Sequence, residues 1–231
     1  MNSGWLSGNM QMAHLSKRKR DDLTGPRPDG KETNNLPFFT SSDNIRFVLQ
    51  ETSFRQIFEV PEYRFDDLTP HDRVIDIGAN VGAFCIRASR YSSHIVAAEP
   101  VTAQILRENI RLNSVTVQVI EAALGDGKEI TVNWDDYEVN APSFPLSGII
   151  DMAGGCDFLK CDCEGAEWLI NPPDLAGIRR IEMELHTPPI SGSPNSLLLD
   201  YIDQYYHFTI DRKPVHSALG VMGVLHAERK Q

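Results

Sequence analysis

Three acids crowd around a glycine at the end of the run Asp157-Phe158-Leu159-Lys160-Cys161-Asp162-Cys163-Glu164-Gly165-Ala166-Glu167. Carboxylates at the end of a strand can take a proton, hold a cation or fix a donor. Further on, Ile181-Glu182-Met183-Glu184-Leu185-His186 alternates apolar with ionisable side chains. A strand's period of two puts Glu182, Glu184 and His186 on one face. A strand covered on both sides should be apolar throughout, so these three need a partner, a cleft or a metal.

A second group lies nearer the N-terminus, in Val74-Ile75-Asp76-Ile77-Gly78-Ala79-Asn80-Val81-Gly82. This reads as a buried strand, a glycine turn and the start of a helix. Gly78 and Gly82 let the backbone turn sharply, and free N–H groups at the helix start attract a carboxylate or phosphate. Asp76 can complement an ammonium group, so a ligand carrying both signs fits this turn. Glu99, in Ala97-Ala98-Glu99-Pro100, stands where an acid accepts ribose hydroxyls. The dinucleotide fingerprint GxGxxG is not met, because three residues separate Gly78 from Gly82. The pattern therefore favours a sulfonium nucleoside over a dinucleotide. Glu121-Ala122-Ala123-Leu124-Gly125-Asp126 supplies small residues such as Ala123 that leave room for an adenine ring, with Asp126 in reach of its amino group. Gly125-Asp126 also reads simply as a turn.

These residues must be positioned by alternating strands and helices. Strands are expected at Val74–Ile77, Ile95–Ala98, Thr116–Ile120, Phe158–Cys161 and Ile181–Leu185, with helices over Ala83–Tyr91 and Thr102–Leu112. Repeated βα units imply a doubly wound α/β fold with a mostly parallel sheet. A helix over Leu197–Tyr206 and strands at Phe208–Asp211 and Val221–His226 would close it with an antiparallel hairpin. Asn133 to Ser147 breaks the rhythm, with Trp134, Tyr137 and Phe144 among Asp, Asn and Pro, as a lid or an ordinary connection would. Asn171-Pro172-Pro173-Asp174 reads as a helix-ending proline pair.

The division expected is a flexible leader over 1–36, strands over 37–70 that cap the core, and the main domain over 71–231. Ile45 and Phe47 alternate with Arg46 and Val48 in the second part, and Ile57-Phe58-Glu59-Val60 follows. The 231 residues, 41% hydrophobic and 23% charged, suit one main core. No apolar run reaches the ~18 residues of a membrane helix, so a cytoplasmic protein without membrane attachment is expected. Cys85, Cys156, Cys161 and Cys163 lack zinc-site spacing and are expected to be reduced thiols. The net charge is −10, and residues 1–35 hold six Lys/Arg and four Asp/Glu, leaving −12 on the remainder. Such a field disfavours a nucleic-acid partner and suits a small molecule. The run Lys17-Arg18-Lys19-Arg20 is expected to be a solvated stretch of leader.

In order, the glycine loop, the Glu99-Pro100 ending, the Ala-Ala-Leu-Gly-Asp turn and the Leu-Lys-Cys-Asp-Cys-Glu-Gly-Ala-Glu motif resemble the FkbM family of methyltransferases over roughly 72–186. Cys161 and Cys163 depart from its branched aliphatics, and Gly148-Ile149-Ile150-Asp151 from its Thr-Leu-Asp. The resemblance implies a class I, Rossmann-like methyltransferase fold with a seven-stranded sheet. It implies S-adenosyl-L-methionine as cofactor and a hydroxyl of a small metabolite or sugar as acceptor. The cofactor would be held by Asp76, Gly78, Asn80, Gly82, Glu99, Ala123, Asp126 and Asp162.

Methyl transfer needs in-line alignment and a route for the acceptor's proton. If the strands of Lys160 and Glu182 are neighbours, those two pair structurally, and Asp162, Glu184 and His186 approach the methyl group as catalytic residues. His186 or Asp162 is then the general base. Mg2+ at Asp162, Glu164 and His186, activating the hydroxyl, is the alternative. Two other functions stay open: an RNA methyltransferase that uses Lys17–Arg20, and a non-catalytic cofactor-binding or interaction module.

Overall fold

The computed structural model describes residues 37–48, 62–134, 137–187, 189–211 and 220–231. The leader, the Lys17–Arg20 run and the strand expected at 57–60 lie outside them. The apolar runs pair as expected: β3 (Arg73–Ile77), β4 (His94–Ala98), β5 (Gln118–Ile120), β9 (Phe158–Cys161), β10 (Arg180–Thr187), β11 (Tyr206–Asp211) and β12 (Gly220–Arg229) make one sheet. Its seven strands run in the order β11-β12-β10-β9-β3-β4-β5. β12 is antiparallel to both neighbours, and the remaining pairs are parallel. Helices α1 (Ala83–Ala88), α2 (Ala103–Leu112), α3 (Leu146–Ala153) and α4 (Ser196–Tyr205) complete the βα units. α1 stops short of the expected Tyr91, where the Ser89 hydroxyl donates to the Ile86 carbonyl at 2.7 Å.

The strands' period of two divides the core. Ile75, Ile77, Leu159, Cys161, Met183 and Leu185 enter one cluster with Trp168 and Tyr206. Val74 and Phe158 enter the other, with Phe84, Ile86 and Leu106. The second face is not apolar throughout. Asp76, Lys160 and Glu182 stand in lateral register on three adjacent strands, and His226 continues the row on β12. All four are buried.

Two expectations change. The stretch from Asn133 to Ser147 is not an irregular lid: β7 (Glu129–Trp134) and β8 (Tyr137–Phe144) pair antiparallel, and α3 follows. Val132 opposes Val139 and Ile130 opposes Ala141, with Val139 and Ala141 buried, so cross-strand apolar pairs override the local Asn and Pro signals. The hairpin β1 (Phe38–Thr40) and β2 (Arg46–Val48) docks on α2. There the Asn109 and Asn113 side chains accept from the Val48 and Arg46 backbone at 2.7 and 2.9 Å. Phe47, Tyr63 and Leu68 belong to the same core cluster as Val74 and Phe158. The prolines after Asn171 open a 3-10 turn, Pro172–Leu175, where proline's missing N–H costs nothing. The four cysteines are free thiols. Among the described residues no helix is long and apolar enough to cross a membrane.

Candidate active site

The carboxyl ends of β3, β4, β9 and β10 bring the sequence-predicted residues into two adjoining groups. In the first, the turn after β3 folds onto the end of β4, where the N–H groups of Gly78 and Ala79 both donate to the Ala98 carbonyl. Gly78 has φ +70, and a Cβ there would lie 1.7 Å from the Asp162 carbonyl oxygen, so no side chain is tolerated. Gly82 has φ +92 and Asn80 φ +48, the latter a left-handed conformation that asparagine tolerates better than most residues. The Asn109 amide donates to the Val81 carbonyl at 2.8 Å and steadies the far side of the turn.

Asp76 is fully buried. It accepts from the Cys85 N–H at 3.2 Å and lies 3.1 Å from Lys160 Nζ. Lys160 in turn donates to the Gly78 carbonyl at 2.9 Å. Burial works against the ammonium, but the charges of Asp76 and Asp162 prevail and hold it well above its ordinary pKa. The expected Lys160–Glu182 pair does not form. Glu182 is already satisfied by Arg180, the Arg64 N–H and His226, at 2.8, 2.9 and 2.5 Å, whereas Asp76 needs a countercharge. Asp76 thus braces the loop from beneath.

Glu99, also buried, accepts from the N–H groups of Asn80, Val101 and Thr102 at 2.8, 2.7 and 3.0 Å. A carboxylate has about four lone-pair sites, so one remains for a ribose hydroxyl rather than the expected two. Ala123 lies in the short strand β6 (Ala123–Leu124), and Asp126 sits in the exposed turn that follows, paired with Lys128. These features fit S-adenosylmethionine: a glycine turn that excludes side chains, and a strand-end acid with one acceptor site open.

The second group surrounds Asp162. Its Oδ2 accepts from the Tyr63 hydroxyl at 2.8 Å, and that hydroxyl lies 3.1 Å from Glu184 Oε2. Its Oδ1 is 3.8 Å from His186 Nε2, and Glu164 Oε2 is 3.4 Å from the same nitrogen. On the ring's other side Glu167, fully buried, accepts from the His186 backbone N–H at 2.6 Å and from Gly165 N–H at 2.9 Å. Its Oε1 lies 3.4 Å from His186 Nδ1, an ion-pair contact that is not an aligned hydrogen bond. Trp168 donates to the His186 carbonyl at 2.8 Å. Burial alone would depress the imidazole pKa, but Glu167 first, then Asp162 and Glu164, push it up to about 9. A pKa raised in this way favours the protonated ring at neutral pH, which weighs against His186 as the resting general base. Burial raises the Glu164 pKa, with His186 pulling the other way. Glu164 also holds a left-handed φ of +54, backbone strain of the kind that gathers at functional sites.

Asp162, Glu184 and His186 each offer a ligand atom within 4.8 Å of the others. Glu164, in the expected Mg2+ set, is not one of these three. Two members of the site were not foreseen. Glu167 ended a visible motif but gave no sign of its role under His186. Tyr63 stands 99 residues from Asp162 in a stretch without any motif, so the sequence carried no signal for it.

Residues 65–141, about a third of the chain, match the TRM5/TYW2 methyltransferase domain. No curated protein matches the sequence. Among solved structures, an rRNA methylase from Streptococcus thermophilus aligns at 7% identity and TM-score 0.49, over 71% of this chain and 90% of that one. TYW2 of M. jannaschii in complex with AdoMet aligns at 16% and 0.47, over 87% and 89%. A dimethyladenosine transferase from Plasmodium falciparum aligns at 10% and 0.45, over 71% of this chain but only 57% of that one. The fold is that of the Rossmann-like class I methyltransferases. The chain is an S-adenosylmethionine-dependent methyltransferase, and the FkbM likeness remains one of motifs alone.

Proposed function

We propose that the chain methylates a nucleoside of RNA, with Asp162 receiving the acceptor's proton. The match of residues 65–141 to the TRM5/TYW2 methyltransferase domain carries this reading, and it weighs against the expectation that nucleic acid is disfavoured. When bound, the cofactor supplies an electrophilic methyl group. The loop Gly78–Gly82 and Glu99 would hold it, with Ala123 and Asp126 as the residues that would flank its adenine. Asp162, at the end of β9, is ionisable and partly open to solvent, with a side chain 26% exposed. Tyr63 occupies its Oδ2, so Oδ1 is the oxygen that meets a proton on the acceptor. His186, when protonated, offsets part of the negative charge of Asp162, Glu164 and Glu167. A nucleobase is neutral and can enter this acidic cluster while its phosphates stay outside.

A second reading keeps the acceptor small, a hydroxyl of a metabolite or sugar, as the FkbM-like motifs imply. The −12 charge of residues 36–231 favours it. Mg2+ at Asp162, Glu184 and a deprotonated His186 belongs with this reading, since a bound cation makes a hydroxyl more acidic.

The two separate in one assay: the full chain, S-adenosylmethionine with a labelled methyl group, and either a total RNA pool or a pool of sugars and phenols. Label is expected in RNA. Replacing Lys17, Arg18, Lys19 and Arg20 together by Gln should weaken RNA binding. It should also flatten the salt dependence, by up to ~0.7–0.9 in log–log slope for each lost phosphate contact. Label confined to the small-molecule pool, and lost on chelation, would replace this reading with the second.

A further inference from the structure

Two carboxylates that share a small site repel each other, and something must fix their separation if one of them is to face an acceptor. Asp162 stands at the end of β9 and Glu184 in the middle of β10, and neither strand alone sets the distance between their side chains. The Tyr63 hydroxyl reaches both, at 2.8 Å from Asp162 and 3.1 Å from Glu184. It has one proton, which goes to the nearer acceptor, Asp162 Oδ2. Oδ1 is thereby turned to the side where His186 Nε2 lies, 3.8 Å away.

The ring behind this hydroxyl is itself held. Tyr63 is buried, with its ring edge-on to Phe84 at 6.0 Å and Lys160 Nζ 5.4 Å from the ring centroid. The next residue is anchored twice: the Arg64 N–H donates to Glu182 on β10, and its guanidinium pairs with Asp211 on β11 at 3.0 Å. A buried phenol on an anchored stretch can act as a fixed strut. Burial and the two carboxylates keep it protonated, with its pKa held well above the ordinary tyrosine value.

We propose that Tyr63 is a positioning residue for methyl transfer, holding Asp162 and Glu184 apart and aiming Asp162 Oδ1 at the acceptor. The stretch ahead of β3 is thereby part of the active site. This rests on the reading of Asp162 as the proton acceptor.

The test uses the full chain as Tyr63→Phe, which keeps the ring and removes the strut, with Tyr63→Leu as a packing control. Three quantities are read: labelled methyl transfer to the RNA pool, S-adenosylmethionine affinity by calorimetry, and the His186 ring signals by 1H–13C NMR at fixed pH. Tyr63→Phe is expected to slow transfer about tenfold to a hundredfold, the scale of a misplaced reacting group. It should leave cofactor affinity and melting temperature nearly unchanged and should move the His186 ring signals, because Asp162 is their neighbour. Transfer and ring signals both at wild-type values would overturn the proposal. So would loss of cofactor binding and of stability in step with transfer, since that marks a role in folding alone. If the wild-type chain labels no RNA, the acceptor reading fails separately, and the His186 signals alone decide for or against Tyr63.

Discussion

Replacing Asp76 by Ala should destabilise the protein by about 3–5 kcal/mol, the cost of stranding one partner of a buried ion pair. Lys160 would keep its charge in a site with 4% exposure, with the Gly78 carbonyl as its nearest remaining partner and Asp162 at 3.8 Å. For a chain of this size that corresponds to a melting temperature lower by roughly 6–20 °C. The variant Asp76→Ala with Lys160→Met should recover much of the loss, because a buried pair can often be exchanged for apolar groups at little cost. Calorimetric melting of the two single variants and the double variant checks this. A double variant no more stable than Asp76→Ala would show that the Lys160–Gly78 hydrogen bond, and not the pair, braces the loop.

Replacing Asp162 by Asn should lower the transfer rate by about a hundredfold to ten-thousandfold, the usual share of a positioned acid or base. The exchange keeps the shape and still accepts from Tyr63, so melting temperature and cofactor affinity should stay near wild type. A rate within a factor of a few would mean that the acceptor reaches the methyl group already deprotonated, or carries a lone pair that needs no base. His186→Ala should not have the same effect, because the ring is protonated at neutral pH and acts by its charge.

Strand ends were the most legible part of this sequence. The apolar runs fixed which residues face together, and the order of βα units put Asp76, Glu99, Asp162, Glu184 and His186 at one edge of the sheet. Side-chain partners were less legible, because register gives neighbours and not choices. Lys160 has Asp76 on one side and Glu182 on the other, and only the prior claims on Glu182 decide between them. The β7–β8 hairpin stayed hidden because Asn140 and Pro142 mask an apolar alternation that becomes visible only when Val132 meets Val139. The raised pKa of His186 depends on Glu167 beneath it, a contact across 19 residues that no spacing rule anticipates. Tyr63 is the extreme case: its importance comes wholly from the place to which the chain carries it.

The most direct measurement is calorimetric titration of the full chain with S-adenosylmethionine and, separately, with NAD, repeated on Glu99→Ala and Glu99→Gln. The wild-type chain should bind S-adenosylmethionine and not NAD. Both variants should bind it about tenfold to a hundredfold more weakly, as loss of hydrogen bonds to a charged acceptor implies. Binding of NAD, or S-adenosylmethionine affinity untouched by either Glu99 variant, would contradict the assignment of this loop and strand end as the cofactor site.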